Sequence, residues 1–241
     1  MLAPAIKNFD AVTLPAIAPA SLVPQIPYYP PRMDNVLDAV VFSDPHIVVF
    51  NKPTGLLSVP GVGADKLDCA LTRLAAHFGE LHIVHRLDMA TSGLLMFARN
   101  KAALKHLHAQ FRDGTVDKAY EAVVAGNIQT MQLVIDAPIG RDWINRPLQK
   151  IDLAEGKPSK TELSVMQYDA SRLATRVTLA PQTGRTHQLR LHMMHIGHSI
   201  LGDDWYGDKT SAPRLLLHAK QITITHPASN MRQTFESSPD F

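Results

Sequence analysis

His85-Arg86-Leu87-Asp88-Met89-Ala90-Thr91-Ser92-Gly93, followed at once by Leu94-Leu95-Met96-Phe97-Ala98, is the stretch on which the reading of this chain turns. The apolar run is short, continuous and bounded by turn residues, so it reads as a buried strand. The residues before it then form a loop feeding that strand. In that loop one carboxylate, Asp88, stands between the cation Arg86 and a Thr-Ser-Gly turn. Loops held against a sheet are where catalytic side chains concentrate. Asp followed by Ser/Thr-Gly is also ordinary turn chemistry. Taken alone, the motif leaves both readings open.

Residues 39–42 and 47–50, rich in β-branched side chains, flank Ser43-Asp44-Pro45-His46 and predict a hairpin. Leu67, Leu71, Leu74, Ala75 and Phe78 have helical spacing, which predicts a helix over 66–78 closed by Gly79. Cys69 is then a helix residue with no assigned chemistry. Asn100 is a candidate N-cap for a helix over 101–112 that ends at Asp113-Gly114. A strand over 116–124 carries Tyr120, and further strands are predicted at 161–168, 173–179 and 221–225. Residues 184–195 read as a helix with Leu189, Leu191 and Met194 buried. Strands dominate without regular strand–helix alternation, so the fold class is α+β with a mixed sheet. There is no internal repeat. The expected organisation is a Pro-rich arm over 1–33, extended or partly disordered, and one catalytic domain over 34–241 without an accessory RNA-binding domain.

Composition narrows the class. With 45% hydrophobic and 19% charged residues, the chain can build a packed core and is not of the disordered type. The single cysteine excludes an internal disulfide and fits a reducing compartment, so a cytoplasmic location is expected. No run approaches the roughly 18 apolar residues of a membrane span. Residues 11–24 are fairly apolar but are interrupted by Pro15, Pro19 and Pro24, which argues against a secretory signal. The net charge of +2 is modest, yet residues 141–190 hold nine Lys/Arg against five acids. Such local fields, rather than whole-chain charge, bind phosphate backbones.

Four motifs in order give the chain a family resemblance. His85-Arg86-Leu87-Asp88-x-x-Thr91-Ser92-Gly93 resembles the catalytic motif of RluA-type pseudouridine synthases. Val49-Phe50-Asn51-Lys52-Pro53-Thr54-Gly55-Leu56 resembles their NKPxGL segment, Lys118-Ala119-Tyr120 their KxY strand, and Gly184-Arg185-Thr186-His187-Gln188-Leu189-Arg190 their GRTHQLR signature. Asp142-Trp143-x-Asn145-Arg146-Pro147 and Arg214-Leu215-Leu216-Leu217-His218-Ala219 are similar to the members that act on both tRNA and large-subunit rRNA. The resemblance implies a mixed, largely antiparallel central sheet flanked by helices and loops around one catalytic cleft. It also implies a monomer whose partner is RNA, namely the tRNA anticodon stem-loop and a 23S rRNA hairpin.

It further implies roles for residues. Asp88 is the catalytic carboxylate, Arg190 the cation paired with it, and Tyr120 the ring that stacks on the flipped base with its hydroxyl near the reacting carbon. Arg86 fills the gap the base leaves. His85, Thr91, Arg185, His187, Trp143, Asn145 and Arg146 are further candidate RNA-binding residues. No cofactor is expected, since the isomerisation needs no redox change or group donor, and the chain has no GxGxxG, Walker loop or Cys pair. His187, His192, His195 and His198 raise a rival, a metal-dependent hydrolase. There is no HExxH and no nearby Cys, and the nearest acids, Asp203 and Asp204, lie in a polar turn. No metal site is therefore expected. Two further readings stay open on the sequence: a non-catalytic RNA-binding protein on the same fold, and the same chemistry on one RNA class only.

Overall fold

The computed structural model of the chain describes residues 29–241, so nearly all of the Pro-rich arm expected over 1–33 lies outside the described residues. In chain order the elements are strands Val40–Ser43 (β1) and Ile47–Lys52 (β2), helix Ala70–Phe78 (α1), and strands His82–Ile83 (β3) and Ser92–Ala98 (β4). Helix Lys101–Asp113 (α2) follows, then strands Asp117–Ala125 (β5), Gln132–Asp136 (β6), Ile139–Arg141 (β7), Gln149–Ile151 (β8), Lys160–Asp169 (β9) and Ala174–Pro181 (β10). Helix Gln188–His195 (α3) and strands Leu217–Thr225 (β11) and Arg232–Glu236 (β12) complete the chain. Two compact units are distinguished: the described residues to Ala122 with Arg214–Phe241, and Val123–Pro213.

In the first unit the strand order is β1-β2-β4-β11-β5, with β3 on β4 and β12 on β11. Only β4 and β11 run parallel; the other pairs are antiparallel. The sheet is therefore mixed and largely antiparallel, as the sequence led us to expect. β4 is buried throughout because both its faces are covered. Leu94, Met96 and Ala98 join Ile47 and Val49 in a core with Ala103 and Leu107 of α2. Leu95 and Phe97 join Val48 and Phe50 in a second core with Ala70 and Leu74 of α1. A strand covered on both faces reads as a continuous apolar run rather than an alternating one. That explains the run 94–98.

One row across this sheet brings four of the sequence motifs together. Lys52 of β2 pairs with Gly93 of β4, Gly93 with Ala219 of β11, and Ala219 with Tyr120 of β5. Gly93 sits at φ +107°, and a Cβ there would lie 2.4 Å from the Ala219 carbonyl oxygen. Only glycine lets the two strands approach this closely.

In the second unit β9 lies between β10 and β6, both antiparallel to it, while β7 and β8 form a separate two-stranded ribbon. Ile139 and Leu148 pack with Leu191 of α3 and Tyr206.

Asn100 caps α2 as predicted, accepting from Ala103 N, and Gly114 ends it in the left-handed conformation. Two helix predictions need correction. α1 begins at Ala70, and Cys69 is its extended N-cap, the sulfur 3.5 Å from Thr72 N. The helix expected from 184 begins at Gln188, because His187 adopts φ 56° and interrupts it.

Candidate active site

The first and second motifs fold against each other. Ser58 Oγ donates to Leu87 O (2.7 Å) and accepts from Leu87 N (3.1 Å), satisfying both backbone groups of that residue. Gly55 N donates to Met89 O (2.8 Å), and Thr54 Oγ1 to Ala90 O (2.7 Å). Thr91 N donates to Asp88 O at 3.1 Å, closing a turn. The chain on both sides of Asp88 is thus tied to residues 54–58. Ser, Thr and Gly supply these ties because a short hydroxyl or a bare backbone can reach a neighbouring chain.

Lys52 completes the junction. Its side chain is wholly buried, and Nζ donates to Pro53 O (2.9 Å), Leu56 O (2.8 Å) and Met89 O (3.1 Å). Burial pushes its pKa down to about 7, and the nearby charge of Asp88 works in the opposite direction. Sequence reasoning placed Lys52 within a motif but gave it no role. The available signal was a lone cation ending the apolar strand 47–50.

Tyr120 packs into the core beneath α1. Burial, and then the negative charge of Asp88, raise the pKa of its phenol above the usual range. The hydroxyl therefore keeps its proton at neutral pH. Asp88, on the loop before β4, is an electrostatic neighbour of Lys52 and Tyr120 on the sheet. Arg86 is exposed and makes no hydrogen bond or ion pair among the described residues.

Two of the residues expected to contact RNA make bonds within this unit. His85 accepts a hydrogen bond from Met96 N at Nε2 (3.1 Å) and stacks on Phe111, 5.2 Å between centroids. Burial drives its pKa to about 3, so the ring is neutral where it supports β4. Thr91 is buried and shapes the turn. A second neutral imidazole, His218, lies behind Ser92. Its Nδ1 is 2.9 Å from Ser92 Oγ and its Nε2 3.1 Å from Ser237 O, with the pKa pushed down to about 4, mainly by burial.

In the second unit Arg190 and Asp203 are both buried. Arg190 donates from Nε and Nη2 to the two carboxylate oxygens of Asp203 (2.8 and 2.5 Å) and from Nη2 to Asp204 Oδ1 (2.9 Å). Asp203 also accepts from Trp205 N and Tyr206 N, so it fixes the turn carrying the two aromatic rings beneath the guanidinium. Asp203 is therefore a buried anchor within a turn that Asp204 leaves exposed, which its composition did not reveal.

His187, another expected RNA contact, is buried at the start of α3, with Nδ1 2.7 Å from the Tyr206 hydroxyl. Arg185 remains exposed, its Nε bonded to Pro158 O at 3.3 Å. His192 bonds Thr161 Oγ1 and Ala137 O, and His198 bonds Ala125 O. Among the described residues no group of three or more His, Cys, Asp or Glu is placed to hold a metal. No helix among them is long and apolar enough to cross a membrane.

Residues 142–148 form the tip of the β7–β8 ribbon. Asp142 accepts from Ile144 N, Asn145 N and Asn145 Nδ2, and these hydrogen bonds hold its carboxyl below the usual range. Asn145, expected to contact RNA, spends its amide donor in shaping this tip. Trp143 is not a core indole: it is 62% exposed, with the Arg146 and Arg141 guanidinium carbons 4.4 and 5.4 Å from its ring centroid.

Comparison with known proteins gives the family. The family model for RNA pseudouridylate synthases matches residues 46–195. The dual-specificity RNA pseudouridine synthase RluA of Escherichia coli K12 is 46% identical over 217 residues, 89% of this chain and 98% of that protein. Its counterpart from Haemophilus influenzae is 44% identical over 216 residues, again 98% of its length. Among solved structures, human RNA pseudouridylate synthase domain containing 1 superposes with a TM-score of 0.69 at 31% identity, over 84% of this chain and 83% of the other. Human RNA pseudouridylate synthase domain containing 4 gives 0.67 at 25% identity, over 85% and 90%. A carboxylate loop tied to the NKPxGL segment and sharing its surroundings with the Tyr120 phenol is thus carried by a chain that belongs to the RNA pseudouridylate synthase family, the RluA-type isomerases of RNA uridines.

Proposed function

We propose that Asp88, Tyr120 and Arg190 carry the isomerisation, and that the substrates are stem-loops in both tRNA and 23S rRNA. The observation that supports the catalytic assignment best is the fixed loop. Asp88 is flanked on both sides by residues hydrogen-bonded to 54–58, and it shares its surroundings with Lys52 and Tyr120. Preorganised geometry of this kind lowers barriers because no rearrangement is needed during reaction.

In the proposed reaction the target uridine leaves the RNA stack, at a cost of a few kcal/mol. Arg86, exposed beside Asp88, takes the vacated space. The Asp88 carboxylate then adds to the nucleoside or removes a ribose proton, and the bond between N1 and C1′ breaks. The base turns and C5 bonds to C1′ as the bond to Asp88 breaks or, on the second route, as Asp88 returns the ribose proton; the C5 proton then departs and N1 gains one. Because the Tyr120 phenol is protonated, it can accept the C5 proton only while passing its own onward, and Asp88 is the adjacent acceptor. Arg190 supplies the cation for the same site, oriented by Asp203. Arg185, Arg146 and Trp143 meet the RNA. Residues 34–241 act as one monomeric catalytic domain, with the cytoplasm as its location.

The dual-substrate reading is supported by the similarity to RluA enzymes of that description. Its test is pseudouridine mapping of two purified transcripts, an anticodon stem-loop and a 23S hairpin, after incubation with the protein. One modified uridine in each is expected. Modification of only one transcript would overturn dual specificity and leave the chemistry intact.

A further inference from the structure

Trp143 and Ile144 are 62% and 83% exposed at the ribbon tip, in a segment that the reaction itself does not employ. The tip is not loose. Asp142 N donates to Leu148 O (3.1 Å), Leu148 N donates to Asn145 O (2.8 Å), and the Asp142 carboxylate fastens the turn between them. A rigid turn that holds a large indole in water, with two guanidiniums over its ring, is built to present that ring. Beside it opens a pocket of about 300 Å³ lined by Arg141, Arg146, Gln149 and Thr186, together with Asp142. That volume is at the small end of ligand clefts and suits a single nucleotide.

The charge also matches. Arg141 and Arg146 outweigh the single Asp142 carboxylate, whose oxygens already accept hydrogen bonds from Ile144 and Asn145. An aromatic face beside fixed cations is the combination that binds unpaired nucleotides, the base by stacking and the phosphate by charge. A planar guanidinium lying over the indole in the free protein occupies the place a base would take and can turn toward the phosphate when one arrives.

We propose that the Arg141–Trp143–Arg146 tip is a subsite for one unpaired nucleotide of the RNA other than the uridine being isomerised, with the base on Trp143 and the phosphate in the adjoining pocket. The inference rests on the reading of the chain as an enzyme acting on RNA stem-loops and adds the nucleotide that fixes the loop in register. Such a subsite selects RNAs whose loop can splay out a second base.

The test combines protein variants with abasic substrates. A stem-loop substrate is prepared with a single abasic residue at each loop position in turn, the target uridine excepted. Dissociation constants are measured for the wild type, Trp143→Phe and Trp143→Ala. Trp143→Ala is expected to weaken binding to the intact loop about tenfold, the worth of one stacked base, with Trp143→Phe recovering most of it. One abasic position should reproduce that loss in the wild type and add nothing in Trp143→Ala. Arg146→Gln should lower the slope of log Kd against log salt by about one. Equal losses in wild type and Trp143→Ala at every abasic position would overturn the proposal. So would wild-type affinity in Trp143→Ala, or a self-association of the free protein that Trp143→Ala abolishes. If the wild type neither binds nor modifies the intact stem-loop, the RNA reading itself fails; modification with an indifferent Trp143 removes only the subsite.

Discussion

The loop around Asp88 and the ribbon tip around Trp143 are both short turns between strands, yet they are built in opposite ways. The first is held from below by Lys52, Thr54, Gly55 and Ser58, and its neighbours Leu87 and Thr91 are buried. The second is held by hydrogen bonds within itself, through Asp142, and by Leu148 packed on Leu191 and Tyr206, and it exposes its largest side chains. The difference fits the role proposed for each. A reacting carboxylate needs a fixed position and few competing waters, whereas a surface that sorts RNAs must be reachable. Damage to the first should therefore cost stability and turnover together, and damage to the second should cost affinity with little loss of stability.

The largest effect tests whether buried anchoring is as costly in the second unit as in the first. Arg190→Met leaves Asp203 buried without its bidentate cation, which should destabilise the fold by about 3–5 kcal/mol in denaturant unfolding. A loss below about 1 kcal/mol would mean that the Arg190–Asp203 pair is not an anchor. Next is Lys52→Met, which removes the shared donor of three carbonyls. Leaving buried acceptors unpaired should cost about 3 kcal/mol, and turnover should fall even at temperatures where the variant is folded. Full turnover in a folded Lys52→Met protein would detach the loop's order from its chemistry.

A smaller effect concerns pH. His218 titrates near 6.5 when unfolded and about 4 when folded, so between those values the unfolded chain binds more protons. The stability contributed by its neutral form is present above pH 6.5 and is lost as the pH falls toward 4, about 2 kcal/mol by pH 5. His218→Gln should flatten that limb of the stability curve relative to wild type; parallel curves would contradict the buried neutral ring. The smallest effect is at the tip. Asn145→Ala removes one hydrogen bond to Asp142 and should cost about 1 kcal/mol or less in global stability. RNA affinity should nevertheless drop measurably, and unchanged affinity would argue that the tip's shape is irrelevant to binding.

Much of the first unit was legible because its local signals agree with its packing. The run 94–98, the Asn100 cap and Gly114 each state their own structure. α3 was misjudged because Gln188 through Met193 are all buried, so no polar face marks where the helix starts. The strands Gln132–Asp136 and Arg232–Glu236 escaped notice because each buries only one residue. In the proposed site, Asp88 and Tyr120 stood out only through motifs that resemble the family's. The buried duties of His85, His187 and Lys52 could not be read, since a histidine or lysine in a motif looks the same whether it meets RNA or a backbone carbonyl.

The most direct test of the division between chemistry and affinity is Asp88→Asn, assayed in parallel for pseudouridine formation in a stem-loop RNA and for binding to the same RNA. The variant keeps the side-chain shape and loses the carboxylate. Pseudouridine should fall to background while the dissociation constant stays within about threefold of wild type, because most RNA affinity comes from phosphate contacts elsewhere. Measurable turnover by Asp88→Asn, or a collapse of binding equal to the loss of turnover, would contradict the account.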